Sequence, residues 1–273
     1  MVAETKVLAR TKQHSLMKSI WRQLSQVYSI FVVLILWEVA ARAIADPLFL
    51  PPLSTVFATL FDLAVSGELM RHVIPSAARA LSGFVLAAVV GIALGLLMGW
   101  YKAWGDFWNS LISLSYPVPK IGLIPLFILW LGIGDSSKVA VIFAAAAFPI
   151  ILNTYAGVKG VRKIIVWRAM TLGATRGEIL SKVILPTTLP YIFVGLRLGM
   201  GIAWILLFSA EMIAANSGLG YLILNAEQKF ETDVVFAALI SIALLGYVFD
   251  RIILIASRRF CGWYFSEAAT EAM

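Results

Sequence analysis

The chain has 273 residues, 61% hydrophobic and 14% charged, with a formal net charge of +7 and a mean hydropathy of +0.91. A soluble domain carries about 45–50% apolar and about 25% charged residues. A soluble enzyme or free-standing binding domain this apolar would expose aggregating patches, and the same excess excludes disorder. One cysteine, Cys261, excludes an intrachain disulfide, and two histidines, His14 and His72, are too few for a His-rich metal site.

The remaining class is a polytopic membrane protein. The apolar runs are long and continuous, whereas a membrane β-barrel alternates apolar and polar residues. The basic balance fits membrane-protein loops better than nucleic-acid binding, because no basic stripe is interleaved with stacking aromatics.

Residues 1–26 are polar and basic, with Lys6, Arg10, Lys12, Lys18 and Arg22. The apolar run 28–45 reads as span one. Its Ala43-Ile44-Ala45 end is compatible with signal cleavage, but the run is long for a signal and carries Glu38 and Arg42. The three prolines within 46–52 break the helix. Ser54 is expected to cap a short amphipathic helix through about Val65. A second short helix near 68–80 leads into span two at 83–100. Span three lies within 107–133, interrupted by Pro117, Pro119 and Pro125. Span four covers 138–158 with a bend at Pro149, span five about 188–214, and span six about 234–257. The expected fold is an all-α polytopic membrane protein of about six transmembrane helices. A basic N-terminal segment (1–26) precedes the six-span domain (27–258), and a short tail (259–273) follows it.

With the N-terminus cytoplasmic, fifteen Lys and Arg residues fall on the cytoplasmic side. Five fall on the other side: Arg42, Arg71, Arg79, Lys138 and Lys229. This asymmetry fits both termini inside. In span two, Gly83, Ala87, Gly91, Gly95 and Gly99 recur every four residues. Such a small-residue face lets another helix approach closely, within the subunit or between subunits.

The longest cytoplasmic connection, about 159–186, is also the most structured. Trp167 to Thr171 can form a helical turn, Gly173 permits a sharp reversal, and Thr175 can cap a helix through Lys182. Ile179, Leu180, Val183 and Ile184 give that helix an apolar face, and Pro186 and Pro190 are expected to end it. A docking knob and a basic interfacial helix on anionic lipid both fit these residues.

This stretch resembles the EAA loop of bacterial ABC-importer permeases: Glu-Ala-Ala, three residues, Gly, nine residues, Ile-x-Leu-Pro. Ala169 matches the second alanine, Gly173 the glycine, and Val183-Ile184-Leu185-Pro186 the close. Trp167 replaces the glutamate, Arg168 the first alanine and Val183 the isoleucine. Segments 49–57, 116–138, 156–161, 195–204 and 210–223 resemble the nitrate/sulfonate/taurine branch, so the resemblance covers nearly the whole chain after residue 27.

The resemblance implies a type I importer permease (MetI-like) fold in the bacterial inner membrane. It implies a second permease copy, two cytoplasmic ATPase subunits that bind ATP and Mg, and a periplasmic binding protein delivering a small anionic solute such as nitrate, taurine or an alkanesulfonate. It places the ATPase contact on Ala169, Thr171, Leu172, Gly173, Ala174, Thr175, Arg176 and Glu178. The chain has no GxxxxGK[ST] phosphate cradle, so neither catalysis nor a cofactor is expected in it.

Charges at membrane depth are costly and mark function. Lys120 follows Tyr116-Pro117-Val118-Pro119, which cannot be regular helix. Irregular backbone at this depth lines cavities, so Tyr116, Pro117, Pro119 and Lys120 are candidates for a solute path or gate. Lys120 could equally snorkel to the interface. Arg197 and Glu211 stand 14 residues apart on span five, too far to pair with each other. Each is expected either to pair with another span or subunit, or to serve as a gate or solute contact. Segment 216–233 reads as an external re-entry with a short helix, facing either the binding protein or the membrane surface.

An ion-coupled secondary transporter of small anions is the rival reading; it would need inverted repeats, which the sequence does not display, and would leave the structured loop unexplained. An intramembrane protease would need a Ser–His pair or metal cluster at depth, and both histidines lie outside the spans. A purely structural membrane protein would not explain the knob.

Overall fold

The computed structural model describes residues 28–115 and 117–263, and these are helical with no strand among them. The first helix, α1, is described over 28–44. It is followed by α2 (Leu53–Val65), α3 (Glu68–Trp100) and α4 (Lys102–Ser115). A 3₁₀ turn (Lys120–Leu123) leads into α5 (Ile124–Leu131), and α6 spans Asp135–Gly160. Then come α7 (Lys163–Thr171), the single turn α8 (Arg176–Ile179), a π turn (Leu180–Ile184) and α9 (Leu185–Ala214). The chain closes with α10 (Leu219–Gln228) and α11 (Thr232–Phe260). The expected segment 1–26, Tyr116 and most of the tail lie outside the described residues.

Four stretches are long and apolar enough to cross a membrane: α3, α6, the continuous run Arg176–Ala214, and α11. The expected third span is not one straight helix. Its halves, Lys102–Ser115 and Lys120–Leu131, meet at 90°. Pro125 does not interrupt it; Pro125 lies in the first turn of α5, where its missing N–H costs nothing. The expected first span begins at the edge of the described residues and is helical as far as they reach.

Packing explains the seam. α6 lies between α3 and α9, and α3 meets it through the predicted small-residue face. A Cβ at Gly95 would stand 2.6 Å from Thr154 Cβ and 2.8 Å from the Ile151 carbonyl oxygen. One at Gly83 would stand 2.6 Å from Ile142 Cγ2, and one at Gly91 2.8 Å from Ile150 Cγ2. The ladder therefore serves packing inside the subunit. Ile142, Ile150 and Ala146 of α6 are fully buried in the resulting core, together with Ala87, Met98 and Ala203. Outward faces carry apolar side chains, as lipid requires: Val89, Ile205 and Ile255 are each more than half exposed.

Four local expectations need correction. Ser54 does not cap α2; it occupies the first turn, and its N–H and hydroxyl both donate to the Glu38 carboxylate of α1. A carboxylate from a neighbouring helix thus faces the positive end of α2. Residues 68–80 are not a separate helix, because α3 runs unbroken through Pro75. Pro186 and Pro190 do not end the loop helix, because Pro186 falls in the first turn of α9 and Pro190 inside it. Arg79 and Lys138 are not loop charges; they are 7% and 3% exposed.

The seam yields one prediction. Gly95→Leu should lower stability by about 1–3 kcal/mol through overpacking. Gly201 has nothing within 4 Å of a built Cβ, so Gly201→Ala should raise stability by about 0.5–1 kcal/mol. Thermal unfolding of both variants in the same detergent checks the pair.

Candidate functional site: a loop knob, a broken-span cavity and two ion pairs

The loop knob is built by helix-end chemistry. α7 closes with Gly173 in the left-handed region at φ +84°. The Gly173 N–H donates to the Met170 carbonyl and the Ala174 N–H to the Ala169 carbonyl, each at 3.0 Å. This is the paired closure that a left-handed glycine permits. Thr175 then caps α8 reciprocally: its hydroxyl accepts from the Glu178 N–H, and the Glu178 carboxylate accepts from the Thr175 N–H at 3.0 Å. The Lys182 ammonium, at 2.9 Å, and then the Thr175 N–H lower the Glu178 pKa from 4.5 to about 2. The stabilisation this carboxylate adds is therefore complete above its unfolded pKa and is lost only as pH falls toward 2.

Ile179 and Ile184 are buried against Val158 and Val161, which fixes the knob on the end of α6. Ala169 and Ala174 pack on that same cluster and face inward. Leu172 points outward at 88% exposure, and Thr171, Gly173, Thr175 and Arg176 are exposed beside it. Trp167 and Met170 are also more than half exposed. Sequence reading passed over these two; the signal was apolar side chains three apart on a short helix whose Val166 and Ala169 are partly buried on its other side.

At the broken span, a cavity of about 690 Å³ opens among Pro117–Ile121, α6 and α9. Pro117, Pro119 and Lys120 line it, opposite Phe148, Asn153 and Ile202. Among its described lining residues, Lys120 carries the only formal charge and Asn153 the only other polar side chain. The Lys120 ammonium donates to the Ser115 carbonyl at 2.9 Å and lies 4.6 Å from the centre of the Phe148 ring. Tyr116 lies outside the described residues.

Arg197 and Glu211 do not line this cavity. Arg197 makes a two-pronged ion pair with Asp250 of α11, at 2.7 and 3.1 Å. Glu211, 1% exposed, pairs with Arg79 of α3 at 2.7 Å and accepts from the Ser76 hydroxyl and the Gly220 N–H. Both therefore bridge spans, one of the two roles expected of them. Removing one partner of a buried ion pair costs about 3–5 kcal/mol, which makes the Arg79–Glu211 pair a strong structural constraint.

The geometry can now be set beside known proteins. Residues 87–261 match the family model described as binding-protein-dependent transport system inner membrane component. A putative ABC transporter permease protein of Methanocaldococcus jannaschii is 41% identical over 225 residues, covering 81% of this chain and 84% of the relative. The taurine transport system permease protein TauC of Escherichia coli is 35% identical over 233 residues, covering 84% and 85% respectively. Among solved structures, a chain of the MetNI methionine ABC transporter in an inward-facing conformation superposes with a TM-score of 0.59. It is 19% identical and is covered to 94%, with 71% of this chain, so the likeness speaks for the MetI-like fold. These matches favour the importer permease over the ion-coupled secondary transporter. Knob, broken span and membrane-length helices thus have one common explanation: the chain belongs to the family of binding-protein-dependent transport system inner membrane components.

Proposed function

We propose that this permease carries a small anionic solute through the cavity at the broken span, driven by ATP hydrolysis in separate subunits docked on the 159–186 knob. The single observation that carries the solute reading is the placement of Lys120. Among the cavity's described lining residues, otherwise largely apolar, it carries the formal charge, where irregular backbone is tolerated because it lines a space. Taurine, the solute named for the Escherichia coli relative, is a small sulfonate and suits such a lining. Nitrate and alkanesulfonates fit the same charge.

The knob supports the partner reading. Trp167, Met170 and Leu172 form an exposed apolar rim on a rigid glycine corner, and Thr171, Thr175 and Arg176 add polar edges. Ala169, Ala174 and Glu178 shape the corner from beneath or within the cap. In this reading two ATPase subunits carrying ATP and Mg meet two permease copies, and a binding protein delivers solute at the opposite end. Both termini lie on the knob's side of the membrane. The basic asymmetry supports that orientation, with fifteen Lys and Arg residues on the knob's side against five on the other. Arg197, through Asp250, ties α9 to α11 and serves as a gate contact on the knob's half of the span.

Purification of the tagged chain from native membranes, with stoichiometry by mass spectrometry, tests the assembly; one ATPase per permease is expected, and recovery of the chain alone would overturn it. Gly173→Val places a β-branched residue at φ +84° and should abolish ATPase co-purification while membrane insertion persists. Gly173→Asn, which tolerates this conformation, should keep it. Lys120→Ala should lower anion uptake about ten-fold, as expected for a charge-assisted hydrogen bond of roughly 1.5–3 kcal/mol, without releasing the ATPase. Uptake assays on reconstituted complexes read that difference.

A further inference from the structure

At the end of the bundle opposite the knob, one guanidinium joins four pieces of chain. Arg79 belongs to α3. Its Nε donates to Asp135, the first residue of α6, at 2.7 Å. Its Nη1 donates to Glu211 of α9 at 2.7 Å and to the Ser217 carbonyl at 2.6 Å, and its Nη2 donates to the Ser217 hydroxyl at 3.0 Å. Arg79 is 7% exposed and Glu211 1%.

The same cluster holds the start of α10. Three successive N–H groups open that helix, and each finds a side chain from another element. Gly218 donates to His72 Nδ1 at 3.1 Å, Leu219 to Ser76 Oγ at 2.8 Å, and Gly220 to Glu211 Oε2 at 3.0 Å. His72 and Ser76 lie on α3, two turns and one turn before Arg79. The turn is built for this approach. Gly218 has φ +119°, and a Cβ there would run into the Glu211 carboxylate; one at Gly220 would stand 2.7 Å from the Phe208 carbonyl oxygen. The far end of α10 carries exposed Glu227, Gln228, Lys229 and Phe230.

We infer that Arg79 is a positioning residue for transport: it clamps the Ala215–Gly220 turn to the outer ends of α3, α6 and α9, so that α10 is presented rigidly and a load on it passes to the three core helices. Glu211 is the other jaw of this clamp. It acts by holding Arg79 and the Gly220 N–H, and it stands apart from the solute cavity. The inference rests on the importer reading only for the identity of the load, which is the liganded binding protein.

The rigidity is measured without any partner. Spin labels at Glu227 of α10 and Glu68 of α3, both exposed, are introduced by cysteine substitution in a Cys261→Ser background of the full chain in nanodiscs. The distance distribution should be narrow with Arg79 present and at least two-fold broader in Arg79→Gln. Arg79→Lys should be intermediate, because an ammonium keeps the Glu211 charge pair but cannot also reach Asp135 and Ser217. In reconstituted importer, Arg79→Gln should raise the binding-protein concentration for half-maximal ATPase stimulation several-fold while leaving ATPase activity without binding protein unchanged. An unchanged distance distribution in Arg79→Gln overturns the inference. So does equal loss of basal and stimulated activity, which marks a general stability role. Should Arg79→Gln fail to insert, Ser217→Ala with Asp135→Ala removes two of the clamp's contacts outside the buried pair and should broaden the distribution in the same direction; no broadening there overturns the inference as well. A wild-type complex that ignores binding protein while showing the narrow distribution would overturn the importer reading and leave the clamp standing.

Discussion

The structure depends on how closely α3 can approach α6. In lipid, water does not drive helices together, so contact area and backbone proximity supply the association. Gly83, Gly91 and Gly95 remove the side chains that would separate the two helices, and Ile142, Ile150 and Thr154 fill the space. α9 uses the other side of α6 in the same manner, with Gly195 and Gly199 facing Ile150. One isoleucine is thus gripped from both sides, and α6 becomes the spine against which the remaining helices are placed.

That spine positions both ends of the molecule. At one end, Val158 and the following Val161 receive Ile179 and Ile184, so the knob is seated on the close of α6. At the other end, Asp135 opens α6 and meets Arg79. The broken span packs against the middle of α6, where Phe148 faces Lys120. Each functional feature is therefore a local specialisation of one packed helix trio, and none stands on a loop by itself.

Much of this was legible in residue types. The membrane helices followed from apolar length, the seam from the four-residue glycine spacing, and the knob from Gly173 and Thr175, because glycine corners and hydroxyl caps are local chemistry. What stayed hidden required partners distant in sequence. Arg79 read as an outer charge because nothing in its neighbourhood announces Glu211, 132 residues later. Ser54 read as a cap because its acceptor, Glu38, lies sixteen residues earlier on another helix. Pro186 and Pro190 read as breaks, whereas neighbouring helices and local adjustments sustain a helix through proline at membrane depth. The site residues divided in the same way: knob positions were visible, while the orientation of Ala169 and Ala174 toward the core was set by packing with α6.

The continuity of Arg176–Ala214 has a mechanical meaning. From Glu178 to Glu211 the chain is one helical rod of about 50 Å, with the π turn at Leu180–Ile184 as its single loosened winding. A shift of the rod along its axis displaces both of its acidic ends together. A rotation about its axis can be absorbed at the loosened winding before it reaches the outer carboxylate. The knob and the Arg79–Glu211 pair thus stand at the two ends of one continuous helical run.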